Sequence, residues 1–166
     1  SHKLSEFHLE DIKSLAEPLT LASISLYSKI TDAFLPTPEK CHYLFNLRDI
    51  SKIFQGVSLA EPRLYEEKEQ IFRLWYHECC RVFMDRLTSL EDREKLRLMI
   101  DGVMDNALQT RLKEIVGEDG DPVFAGLDLS NPEAENPSYE QMADRKALKA
   151  FMEQKVDDYN AMYKKS

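Results

Sequence analysis

The residues with the most reactive potential are His77, Glu78, Cys79 and Cys80, which stand consecutively. They invite a metal or thiol reading. The zinc pattern H-E-x-x-H is not met, because Arg81 stands where the second histidine must be. Cys79 also falls on the apolar face of a helical pattern, where a free cysteine acts as a small hydrophobe. Core packing is therefore the expected role of this group, with His42 and His77 as structural hydrogen-bonders. Cys41 and His42 are a weaker nucleophile pair still, since sequence neighbours rarely aim at one substrate atom.

Arg48 stands apart. It occupies the first turn of an expected helix, where the helix dipole disfavours a cation by about 0.3–1 kcal/mol. An anion nearby would reverse that sign, since it attracts both a guanidinium and free helix N–H groups. The competing use is a surface salt bridge to Asp49, Asp32 or Glu61.

The elements that must position these groups are helical. Leu19, Ala22, Leu26, Ile30 and Ala33 recur at helical spacing after Pro18, with a stop near Phe34 set by Pro36 and Pro38. Ile12, Leu15 and Ala16 suggest a short helical face before them. Residues 35–45 should run extended, with Tyr43, Leu44 and Phe45 packed on a neighbour. Asn46 is a good N-cap, and Asp49 three residues on completes a capping-box variant. Leu47, Ile50, Phe54 and Val57 are the expected buried face of that helix, with Gly56 weakening its end.

The strongest helix runs from about Tyr65 to Leu87, on Ile71, Leu74, Trp75, Cys79, Val82, Phe83 and Leu87. Thr88, with Glu91 three residues later, should cap a second long helix. It carries Leu96, Met99, Ile100, Val103, Met104, Ala107, Leu108, Leu112 and Ile115 as far as Gly117. A short turn between two long amphipathic helices implies an antiparallel pair. Residues 118–138, EDGDPVFAGLDLSNPEAENPS, read as an acidic, proline-rich linker with a short extended piece at Val123 and Phe124. A last helix is expected from about Tyr139, with Leu148, Phe151, Met152, Val156, Tyr159 and Tyr163 as its stripe. That stripe should belong to a following domain or pack back on this one. No alternating strand and no fixed-period repeat is apparent.

Composition agrees with a helical domain. The chain has 166 residues, 43% of them apolar, enough for a core. Five glycines favour helix over tight-turned sheet. A net charge of −8 argues against a nucleic-acid surface, which needs excess Lys and Arg. Three cysteines, two of them adjacent, make no disulfide framework and point to a reducing compartment. No apolar run approaches the ~20 residues of a membrane span. The start at Ser1-His2 without Met, and the end at Ser166, suggest a piece excised from a longer protein, with the first two residues a tag remnant.

The motifs of a nucleotide-hydrolysing centre are missing: neither G-x-x-x-x-G-K-[ST] nor G-x-G-x-x-G is present, and no apolar run ends in paired carboxylates. The piece is not expected to be an enzyme by itself.

Within residues 35–57, the string LPTPEKCHYLFNLRDISKIFQG resembles the helical lid of the third AAA+ module of dynein heavy chains. Residues 74–87, LWYHECCRVFMDRL, look like the L-W-x-H-E-x-x-R-V-F-x-D-R-L stretch of the same lid. Phe124 to Tyr159, with D-Y-N at Asp158, Tyr159 and Asn160, resembles the junction where the fourth module begins. The FNLRD form is more like axonemal than cytoplasmic heavy chains. The resemblance implies an all-α AAA+ lid of about five to six helices over residues 1–117, a linker over 118–138, and the N-terminal helix of the next module over 139–166.

It further implies a lid that closes over nucleotide held by the preceding large subdomain. That nucleotide state would be relayed around the ring during microtubule-based ciliary movement. Arg48 falls at the sensor-2 arginine, facing the γ-phosphate. No cofactor is implied for the fragment, while ATP or ADP with Mg belongs to the full module, whose phosphate loop, magnesium strand and first sensor would precede Ser1. The implied partners are adjacent AAA+ subdomains and, through the full motor, the microtubule, with neither nucleic acid nor membrane. The implied location is cytoplasmic and cytoskeletal, in the ciliary axoneme. The alternatives are an independent helical interaction module, binding a partner helix through the stripe at 148–163, and a metal or thiol enzyme built on His77 and Cys79.

Overall fold

The computed structural model describes residues 14–61, 64–65, 67–117, 120–131 and 134–163. The suggested helical face around Ile12 lies largely outside them. The chain divides into two compact units, one ending at Pro122 and one beginning at Val123.

The regular elements described in the first unit are helices, with one isolated bridge between Gly117 and Gly120. Helix α1 (Ala16–Ala33) buries Leu19, Ala22, Leu26 and Ile30, and the Phe34 N–H closes it on the Ile30 carbonyl. Pro18 sits in its first turn, where no partner for an N–H is required. Residues 35–45, expected to run extended, instead turn at 38–42, where the Lys40 N–H donates to the Thr37 carbonyl and the Tyr43 N–H to the Lys40 carbonyl; helix α2 (Leu47–Ser58) follows, and then α3 (Lys68–Val82). A 3-10 turn (Met84–Arg86) then leads to α4 (Leu90–Val103), a π turn (Met104–Leu108) and the short α5 (Leu112–Ile115).

The core follows the sequence pattern closely. Ile71, Leu74, Trp75, Cys79, Val82, Phe83 and Leu87 are all buried, as are Leu96, Ile100, Val103, Met104, Leu112 and Ile115. Trp75 Nε1 donates to Ser23 Oγ at 2.9 Å, joining α3 to α1 with no unpaired polar atom.

Several boundaries differ from the sequence expectation. The cap of α4 is Ser89, not Thr88, and its Oγ accepts the Asp92 N–H at 3.1 Å. The second long helix does not continue to Ile115. Gln109 adopts a left-handed backbone (φ 53°), and Asp101 then accepts the Leu112 N–H at 2.8 Å, which starts α5 separately. The two long helices do not pack chiefly on each other as an antiparallel pair: α3 packs mainly against α2, and α4 against α1. The junction between them is a 3-10 turn ending in extended Leu87, not a tight hairpin.

Gly56 explains the closeness of α2 and α3. A Cβ there would lie 2.0 Å from Oε2 of the fully buried Glu78. The buried line of α2 is accordingly Asp49, Ile53 and Gly56, while Leu47 is exposed and Ile50, Phe54 and Val57 are half-buried. Gly56 is the contact point of the helix rather than a weakness at its end.

The second unit holds two strands: the short extended piece expected at Val123 and Phe124 becomes β1, and its partner β2 was not expected. β1 (Phe124–Gly126) and β2 (Tyr139–Gln141) pair antiparallel, Phe124 facing Gln141 and Gly126 facing Tyr139. The last helix, α6 (Arg145–Tyr163), therefore begins after Tyr139, not at it. Asp144 caps it, its Oδ1 accepting the N–H groups of Lys146 and Ala147 at 3.0 and 2.9 Å. None of the α6 residues is buried; Met152, Val156, Tyr159 and Tyr163 are exposed.

Candidate functional site around Arg48

Asn46 has extended backbone, and its Oδ1 accepts the Arg48 N–H at 2.9 Å. The Asp49 carboxylate reaches back to the Asn46 N–H, also at 2.9 Å. This reciprocal capping box engages the N–H groups of Arg48 and Asp49 from the Asn46 side chain, and that of Asn46 from Asp49. The cap occupies the N–H groups of Asn46, Arg48 and Asp49, so of Arg48 itself the guanidinium is the donor left for an anion.

That guanidinium is exposed, and among the described residues it makes no hydrogen bond, ion pair or ring contact. The salt bridge to Asp49 considered from the sequence is not formed. Asp49 is instead 1% exposed and held by Arg86 and by Lys52, the latter at 3.3 Å. Burial opposes its ionisation, but the Asn46 N–H and the Arg86 guanidinium outweigh that and keep its carboxyl below the usual range.

The approach to the site is anchored as firmly. Tyr43 is buried, and its hydroxyl donates to Asp92 at 2.9 Å and accepts the Thr88 N–H at 3.1 Å. Lys40 pairs with the same Asp92, and this bond holds the Asp92 carboxyl low. Phe45 stacks edge-on against Phe83, with centroids 5.8 Å apart. Leu44, expected to pack with Tyr43 and Phe45, is exposed instead, as is Leu47. Arg48 thus directly follows a stretch that carries two exposed leucines, Leu44 and Leu47. It lines neither of two surface hollows: an apolar one of about 320 Å³ bordered by Leu19, Phe54, Val57 and Leu74, and one bordered by the charged side chains of Arg97, Asp101 and Arg111.

The side chains of the His77–Cys80 group form no metal-holding cluster among the described residues and are committed separately. His77 Nδ1 lies 3.1 Å from the Pro122 carbonyl oxygen, and burial pushes its pKa down. Glu78 accepts two bonds from Arg81, at 2.9 and 2.6 Å. Burial raises the Cys79 thiol well above its ordinary value and pushes Cys80 up to about 12, so neither is a ready thiolate. Tyr76 and Arg97 both donate to Asp121, at 2.9 and 2.6 Å, and with His77 they fasten the end of the first unit to α3 and α4. Sequence reading missed this clasp, because its members lie up to 45 residues apart. No membrane-spanning helix is found among the described residues.

Residues 3–93 match the family described as Dynein heavy chain, ATPase lid domain. The chain is 41% identical over 155 residues to Dynein axonemal heavy chain 1 of Rattus norvegicus, covering 90% of this chain and 3% of that protein. It is 37% identical over 160 residues to Dynein axonemal heavy chain 2 of Homo sapiens, covering 96% and 4%. Against the Dynein-1-beta heavy chain of the flagellar inner arm I1 complex of Chlamydomonas reinhardtii it is 34% identical over 157 residues, covering 95% and 4%. The chain therefore spans only 3–4% of the length of these relatives. With a helical unit of this kind and a family match across more than half its length, the chain belongs to the dynein heavy chain ATPase lid family.

Proposed function

We propose that this chain is the non-catalytic lid of the third AAA+ module of an axonemal dynein heavy chain. In this reading residues 1–117 are the lid, 118–138 a linker, and 139–166 the first helix of the fourth module. The lid closes over Mg-bound ATP or ADP held by the preceding large subdomain and passes that state to its neighbours in the ring. The parent is a motor ATPase working on microtubules in the ciliary axoneme.

The observation that carries the reading is Arg48. Among the described residues its guanidinium is exposed and uncommitted, on a helix turn whose Asn46 and Asp49 side chains are both engaged. A solvated arginine with neutralised surroundings is suited to meet a phosphate arriving from another subdomain. The resemblance of residues 35–57 to the dynein lid puts the sensor-2 arginine at this position.

The test is Arg48→Ala in the full heavy chain, read as nucleotide-dependent microtubule release and ATP turnover. Altered release with unchanged melting of the lid supports a nucleotide sensor. Unchanged release would make the piece a passive helical spacer.

The helical interaction module has one observation in its favour, the exposed stripe of α6. Saturable binding of a partner helix by this chain alone would favour it.

A further inference from the structure

We propose that Arg86 is the positioning residue for Arg48, fixing the direction in which the lid presents its sensor; this rests on the nucleotide-sensing reading above. One Arg86 guanidinium engages both sides of the Asn46 cap. Its Nη1 donates to the Leu44 carbonyl at 2.9 Å, its Nη2 donates to the Asp49 carboxylate, and its Cζ stands 5.2 Å from the centre of the Phe45 ring. Asp49 closes the loop by accepting the Asn46 N–H.

The peptide that carries Arg48 is therefore held before and after the cap by a single side chain from the junction between α3 and α4. Arg48 has no side-chain anchor of its own among the described residues. Its direction is set by the backbone of the first α2 turn, and Arg86 sets that backbone. The planar fork of arginine serves a carbonyl and a carboxylate together; the point charge of a lysine cannot reproduce this geometry. A displacement of the junction at 83–89 would reach Arg48 directly through these bonds.

The experiment uses the full heavy chain with Arg48→Ala, Arg86→Ala and Arg86→Lys, singly and as Arg48/Arg86 doubles. Two quantities are read: Mg·ATP affinity of the module, and amide hydrogen exchange over residues 44–50. Either Arg86 substitution is expected to weaken affinity about tenfold when Arg48 is present, and to add nothing when Arg48 is already alanine. Exchange over 44–50 should quicken in the Arg86 variants and stay at the wild-type rate in Arg48→Ala. Arg86→Lys keeps the positive charge beside Asp49, so it reports even where Arg86→Ala does not fold. Additive losses, or unchanged exchange over 44–50, overturn the positioning role. If Arg48→Ala weakens binding and the Arg86 variants do not, positioning fails while the sensor stands. If Arg48→Ala has no effect, both fall.

Discussion

Arg86 donates to the Asp49 carboxylate across 37 residues of sequence, so the turn after α3 grips the first turn of α2 beside Arg48. The two stretches that resemble the dynein lid, residues 35–57 and 74–87, meet through this bond. Asp49 is almost fully buried, and losing Arg86 would leave Lys52 as its one cation. Arg86→Ala should destabilise the chain by about 3 kcal/mol at pH 7. The folded pKa of Asp49 lies below its ordinary 3.8. Its contribution is therefore present above that value and lost as pH falls through the folded pKa. Urea melts at pH 7 and near pH 3 should show the Arg86→Ala deficit shrinking in acid.

Arg48→Ala should behave in the opposite way. An exposed arginine without a side-chain partner leaves little behind when removed, and the helix dipole opposed it. The melting midpoint of the chain should move by no more than the equivalent of about 0.5 kcal/mol. A larger drop would mean that Arg48 holds the fold, and the sensor reading would lose its main support.

Gly56→Ala tests the crossing of α2 over α3. The new methyl meets the carboxylate of Glu78, which is fully buried and tied to Arg81. An overpacked contact of this kind costs about 1–3 kcal/mol. In a Glu78→Ala background the same substitution should cost less, because the obstructing atoms are gone. Equal losses in both backgrounds would place the strain elsewhere.

His77 gives a pH signature. Burial holds its pKa below the ordinary 6.5, so the folded chain keeps it neutral while the unfolded chain protonates. Stability from this group is complete above pH 6.5 and declines as pH falls towards the folded pKa. Wild type should melt earlier at pH 5.5 than at pH 7.5, and His77→Gln should flatten part of that slope. An unchanged slope in the variant would show that other groups carry it.

Ser23→Ala removes the acceptor for Trp75 Nε1 in a site with no solvent access. A buried donor left unpaired costs about 1–3 kcal/mol. Chemical denaturation of wild type and variant measures this directly, and a neutral result would mean that the indole finds another acceptor.

The sequence by itself determined the helical character, the apolar stripes of α1, α3 and α4, and the Asn46–Asp49 cap. These depend on spacings of three to four residues, which a helix converts into one face whatever lies around it. It also marked Arg48, whose unfavourable dipole position is a local fact. Tertiary structure decided which groups each local motif would use. Asp49 could have paired with Arg48, its neighbour, but burial and the reach of Arg86 assigned it otherwise. Gly56 looked like a weak helix end until α3 brought Glu78 within contact of its missing side chain. Residues 139–141 became a strand because 124–126 offered a partner, and three-residue strands are too short for alternation to reveal them. In each case the deciding atoms lie far away in sequence, where no local pattern records them.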